Sequence, residues 1–159
     1  MSVHFSSDKM DWETPNSLFE ELDDEFYFEL DVCATNENKK CCHYIDKESD
    51  GLALDWRYHG NPAVCWMNPP YGREIKHWIK KAAEQSAKGC TVVALIPYRP
   101  DTRYWFDYVW EPETNGKTWF GRKPREGVEI RAVKGRLKFG NADNPAPFPS
   151  AIVIFRNKP

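Results

Sequence analysis

The sequence predicts an α/β fold: a parallel or mostly parallel sheet with right-handed crossovers, finishing in a C-terminal antiparallel hairpin. Three observations lead there. Two apolar runs, Val64-Cys65-Trp66-Met67 and Thr91-Val92-Val93-Ala94-Leu95-Ile96, have strand length and no polar alternation, as strands covered on both faces do. Between them, Ile75, Trp78, Ile79, Ala82 and Ala83 recur at the spacing of a helix packed on one side. The tail holds two further apolar runs with no convincing helix between them, which favours an antiparallel return.

Taken in order, Thr14-Pro15 reads as an N-cap followed by a proline in the first helical turn. Leu18, Phe19 and Leu22 then share one face of a helix running to about Asp24. Phe26-Tyr27-Phe28-Glu29-Leu30 is short, aromatic and apolar, and reads as a buried strand ending at Asp31. The interval between Asp31 and Asn68 has room for one further short strand. The strand at 64–67 stops at Asn68-Pro69-Pro70-Tyr71-Gly72, and the helix after it stops at Gly89. Pro97 closes the strand at 91–96, and a short aromatic helix is expected over 101–109. The tail strands fall around 128–133 or 137–139, and at 151–155. Ligands in such sheets bind beyond the carboxyl ends of the strands, where the strand order reverses. Two polar clusters lie there, Asp31-Val32-Cys33-Ala34 and Asn68–Gly72, and they share one cleft if their strands are neighbours.

At 159 residues with 41% hydrophobic residues, the chain is expected to make one domain, with no separate target-recognition domain. No apolar run spans a bilayer, and Met1-Ser2-Val3-His4 lacks the layout of a signal peptide, so a cytoplasmic location is expected and no membrane partner. Of five cysteines, Cys33, Cys65 and Cys90 sit among apolar neighbours, as reduced core thiols do. Cys41-Cys42-His43 is the only metal-like cluster; adjacent ligands diverge and no second pair follows, so no metal is expected. Net charge is −2, but residues 1–60 carry fifteen acidic against five basic side chains, and residues 61–159 nine against seventeen. The basic excess concentrates in Lys117, Arg122, Lys123, Arg125, Arg131, Lys134, Arg136 and Lys138, a stretch suited either to phosphates or to a solvated hairpin.

Asn68-Pro69-Pro70-Tyr71 carries the chemistry. Pro69 cannot donate a backbone hydrogen bond, and Pro70 holds the residue before it extended. Such a turn can aim the Asn68 side-chain oxygen and the Pro69 carbonyl at one point. Methylation of an exocyclic amine needs that arrangement. The amino lone pair of adenine is delocalised into the ring, and two fixed acceptors for its hydrogens favour a pyramidal nitrogen and stabilise its developing positive charge. Tyr71 offers a face for stacking a base swung out of the duplex.

With these motifs the chain resembles the phage-type DNA N-6-adenine methyltransferase (Dam-like) family over nearly its whole length. The matching pieces are Trp12-Glu13-Thr14-Pro15, Leu30-Asp31-Val32-Cys33-Ala34, Asp50-Gly51-Leu52, Asn68-Pro69-Pro70-Tyr71-Gly72, Gly135-Arg136-Leu137 and Pro145-Ala146-Pro147-Phe148-Pro149-Ser150. The resemblance implies a compact S-adenosylmethionine-dependent methyltransferase (Rossmann-like) sheet, trimmed from seven strands, acting on DNA in a bacterial or phage-infected cell. It implies that Trp12, Thr14 and Pro15 close over the methionine end of the cofactor. Asp31 and Ala34 then form the first cofactor loop, with Asp31 on the amino group, and Asp50 accepts from the cofactor's adenine amine. Glu48 and Asp46 are both candidates for the ribose. The first loop, Asp31-Val32-Cys33-Ala34-Thr35-Asn36, departs from the usual pattern in having no glycine. Bases are expected to be read by loops 98–104 and 112–127 and the Pro-rich loop before Ser150. Arg122, Lys123, Arg125 and Arg136 are expected on phosphates and Phe148 on the flipped base.

Two other readings use the same residues. The turn also serves amines of RNA or of protein side chains, and a catalytically silent nucleic-acid-binding protein of the same fold would keep the basic tail.

Overall fold

The computed structural model describes residues 12–113, 119–140 and 142–156. Met1-Ser2-Val3-His4 and Lys117, used in the sequence reading, lie outside them. Three helices, α1 (Asn16–Phe26), α2 (Ile75–Ala87) and α3 (Arg103–Tyr108), accompany one sheet. Its strands are β1 (Leu30–Asp31), β2 (His43–Tyr44), β3 (Val64–Met67), β4 (Thr91–Pro97), β5 (Val128–Ala132) and β6 (Ser150–Phe155), in the order β2-β1-β3-β4-β6-β5.

β1 to β4 are parallel neighbours. β6 runs against both β4 and β5, so five strands share one direction and β6 alone opposes them. From β1 the chain steps outward to β2, and from β3 it steps the other way to β4, which puts the reversal of strand order between β1 and β3. Asp31 stands in register with Trp66 across that pair, so the two polar clusters do leave the sheet side by side. β4 and β6 are buried almost throughout, and Val93, Leu95, Ile152 and Ile154 form the centre of the core.

Two sequence expectations need correction. The segment 26–30 is not a strand along its length. α1 continues through Phe26, Tyr27 turns left-handed (φ 55°), and the Phe28 N–H donates to Asp23 Oδ1 at 2.8 Å. Only Leu30 and Asp31 remain to pair, and Phe28 packs instead against Phe19 and Trp66 at 5.3 and 5.5 Å. Second, Thr14 does not cap α1. Pro15 takes the cap position with no side-chain cap bond, and its carbonyl accepts from the Phe19 N–H at 3.2 Å. β5 occupies 128–132, the first of the two positions expected for it. β5 and β6 are antiparallel neighbours as expected, with residues 133–149 connecting them. Within that connection the Ala146 N–H donates to the Leu137 carbonyl at 2.7 Å, and Phe139, Ala146 and Phe148 are buried. The short strand for which the interval before Asn68 had room is β2, at the sheet edge.

Candidate active site

Asn68 follows the last residue of β3 and meets the segment that precedes α1. Its Nδ2 donates to the Trp12 carbonyl and to Thr14 Oγ1, the latter at 2.9 Å. A carbonyl only accepts, so this contact fixes which end of the amide faces Trp12. Oδ1 is left buried with no hydrogen-bond partner among the described residues. An orphaned buried acceptor is costly and marks a place where a donor belongs. Pro69 is buried and Pro70 half-buried, so the turn is held by packing. The Tyr71 hydroxyl donates to the Leu95 carbonyl at 3.1 Å, and burial pushes its pKa well up. The Tyr71 ring lies roughly parallel to Trp12, centroids 6.3 Å apart, and meets Phe139 and Phe148 edge-on.

Asp31, at the end of β1, is 2% exposed. Its Oδ1 accepts from the Cys33 N–H at 3.2 Å and its Oδ2 from the Lys40 N–H at 3.0 Å, so the carboxylate gathers its own loop. Burial raises its pKa to about 6, against the opposing pull of those two amides and of the Lys40 charge. Asp31, Ala34, Thr14, Trp12 and Asn68 surround a small recess of about 40 Å³. Ala34 also borders a much larger cleft of about 590 Å³, within the usual range for a small-molecule site. Val32, Leu52 and Trp78 wall that cleft, while Asp46 and Asp50 bring carboxylates to it. Asp50 is left-handed (φ 54°) and accepts from the Leu52 N–H at 3.1 Å through Oδ1. Asp46 accepts from the Ser49 N–H at 2.9 Å, and the Ser49 hydroxyl together with that amide lowers its pKa. Glu48 is exposed and does not border the cleft.

The glycine missing from the first loop has a counterpart opposite. A Cβ on Gly51 would sit 2.5 Å from the Val32 carbonyl oxygen and 2.9 Å from the Trp78 ring. Only glycine allows this loop to close on β1 and leave the cleft open.

A family model described as DNA N-6-adenine-methyltransferase (Dam) matches residues 2–157. This chain belongs to the DNA N-6-adenine-methyltransferase (Dam) family. Among curated proteins it is similar to the DNA N-6-adenine-methyltransferase of Haemophilus phage HP1, with 35% identity over 103 residues, 64% of this chain and 57% of that protein. It is also similar to the DNA N-6-adenine-methyltransferase of Escherichia phage T1, with 32% identity over 96 residues, 60% of this chain and 38% of that one. The matches thus cover about half or less of the length of these relatives.

In this Dam-family chain the predicted residues fall into three groups. Trp12, Thr14, Asp31, Ala34 and Asn68 meet at the recess, while Ala34, Asp50, Pro70 and Tyr71 border the cleft. Pro15 sits at the start of α1 and Phe148 in the aromatic cluster, with the Arg99 guanidinium 5.7 Å from its ring centre. The basic residues are dispersed. Arg125 donates to the carbonyls of Trp110, Phe106 and Asp107 at 3.0, 3.3 and 2.7 Å, so it clamps the end of α3. Lys123 pairs with Glu111 at 3.4 Å, whereas Arg122 and Arg136 are exposed. Sequence reasoning missed Leu52 and Trp78 as cleft walls. The helical stripe marked Trp78 as buried; nothing in its spacing marked it as facing a cleft.

Proposed function

We propose that this chain transfers a methyl group from S-adenosylmethionine to the N6 amine of adenine in DNA. The observation that carries the proposal is the Asn68 amide, whose nitrogen is committed to Trp12 and Thr14 while its buried oxygen has no partner. That oxygen supplies an acceptor for an amino hydrogen, and the Pro69 carbonyl supplies the second. Together they favour a pyramidal nitrogen and stabilise its positive charge without a strong general base.

The residues around the cleft fit the cofactor. Apolar walls from Val32, Leu52 and Trp78 suit an adenine ring, and Asp50 Oδ2 remains available to accept from its amine. Asp46, just past β2, takes the ribose hydroxyls, the position where a carboxylate serves this purpose in related sheets. Asp31 and Ala34 lead from the cleft to the recess, where the Asp31 carboxylate meets the amino group at the methionine end. Trp12, Thr14 and Pro15 cover that end. When bound, S-adenosylmethionine supplies an electrophilic methyl group on a sulfonium that leaves as a thioether.

A recess of about 40 Å³ does not admit a purine, and Trp12 already lies along the Tyr71 ring. Base entry therefore requires Trp12 or the loop bearing Phe148 to yield, as a flipped nucleotide displaces what fills its pocket. Arg122 and Arg136 contact phosphates, with Lys123 once it is released from Glu111. Arg125 acts by holding this loop in place.

The test is incubation with labelled S-adenosylmethionine and DNA, RNA or protein. Label in DNA, recovered as N6-methyldeoxyadenosine, is expected; label in another polymer, or as N4-methylcytosine, overturns the reading. Asn68→Ala is expected to lower kcat by about 100-fold or more with cofactor affinity little changed. Equal losses in both would remove Asn68 from the transition state.

A further inference from the structure

Part of the positive charge of the tail is occupied. Arg131 bonds Glu25 at 2.7 Å and also Glu129, Arg156 reaches Glu129 at 3.3 Å, and Arg125 is held by backbone carbonyls. A second cationic surface lies elsewhere. α2 and α3 enclose a groove of about 460 Å³ whose α2 wall carries Lys76, His77 and Lys80 and whose α3 wall carries Arg103, Tyr104 and Tyr108.

We propose that this groove between α2 and α3 binds the phosphate backbone of the DNA substrate. The inference rests on the proposed action on DNA and adds where the duplex is gripped. Lys76 and Lys80 are one helical turn apart on one face of α2, so their ammonium groups line the same side of the groove. The acidic groups facing them hold them loosely. Glu84 is 3.9 Å from Lys80, and Asp107 is 3.7 Å from Arg103, whose side chain is 94% exposed. Exposed pairs of this kind contribute little, so exchanging the carboxylate for a phosphate costs little. Lys76 and His77 line the same wall of the groove. Tyr104 and Tyr108 add flat, hydroxyl-bearing surface of the sort that positions a sugar–phosphate chain.

The groove also continues to the rim of the large cleft. α2 begins three residues after Gly72 of the proline turn. Leu52 borders both the large cleft and a shallower groove that contains His77, Lys80 and Lys81. The cationic strip therefore starts at the rim of the cleft and runs outward along α2. A duplex lying on it is fixed in register with the adenine presented to Asn68, a positioning role with no sequence information of its own.

The experiment is duplex DNA binding by the full chain, followed by fluorescence anisotropy over a range of salt concentrations. The double variant Lys76→Ala/Lys80→Ala is expected to bind about tenfold more weakly, equally for different sequences, with a salt slope smaller by about 2, one phosphate contact per lysine removed. Lys76→Arg/Lys80→Arg should restore both. S-adenosylmethionine affinity, unchanged in either variant, reports that the fold and cleft are intact. A double variant with wild-type affinity and slope, in a preparation that methylates DNA, overturns the inference and leaves the proposed function standing. A wild-type chain that neither binds nor labels DNA overturns both. Lysine dependence seen with RNA and not with duplex DNA overturns the choice of partner.

Discussion

Asp31 shows how a single side chain can hold a loop and still serve a ligand. Each oxygen already accepts one backbone N–H, yet a carboxylate has further lone pairs to offer. Its folded pKa of about 6 lies above the ordinary 3.8, with burial as the main cause. The free protein therefore keeps a proton that the unfolded chain releases. The stabilising contribution of that proton is complete below about pH 4 and is lost as pH rises through about 6. An ammonium group beside Asp31 favours its ionised form and reverses this preference. S-adenosylmethionine affinity is accordingly expected to fall as pH drops below about 6, with a proton released on binding near that pH. Calorimetry in buffers of different ionisation heat measures the release directly. Asp31→Asn should flatten the profile, and an unchanged profile would place the amino group elsewhere.

Among the elements, the connection from α3 to β5 divides its basic residues between solvent and the end of α3. Its arginines suggested a phosphate contact, but Arg125 binds three carbonyls around the end of α3, and its own N–H donates to the Val109 carbonyl at 2.8 Å. Gly121 packs so closely on Trp110 that a Cβ would lie 2.6 Å from its ring. Arg125→Ala is expected to cost about 1–3 kcal/mol of stability by leaving these acceptors without their charged donor, seen as a lowered Tm. A variant with normal Tm and weakened DNA binding would return Arg125 to the interface. Sequence alone could not separate these roles, because the carbonyls come from residues 15 to 19 positions away. Other causes hid the end of α1, where the Asp23 side chain captures the Phe28 amide, and β2, two residues with no periodicity to read. The reversal between β1 and β3 was legible because proline and aspartate punctuate the strand ends. Likewise the α2 stripe of Ile75, Trp78, Ile79 and Ala82 is buried as its spacing implied. Asp31, Asn68 and Asp50 were legible as residue types, but the hold of Thr14 on the Asn68 amide spans 54 positions and leaves no local trace.

At the scale of the whole molecule, the acidic first sixty residues supply α1 and the β2–β1 edge, and the basic remainder supplies the rest of the sheet. The proposed cofactor site lies across the join, with Asp31, Asp46 and Asp50 from the first part and Pro70, Tyr71 and Trp78 from the second. A ligand seated there ties the two parts together. S-adenosylmethionine at 100 times its Kd is expected to stabilise the fold by about 2.7 kcal/mol, read as a raised Tm. Asp31→Ala should diminish that increment, and no increment in the wild-type protein would count against the site. The anchoring of the Asn68 nitrogen on Trp12 and Thr14 carries a last consequence. On the proposed reading, the orientation of the acceptor amide is inherited from a segment 54 positions earlier in the chain. A substitution at Thr14 is then felt at the proline turn without altering any residue of that turn.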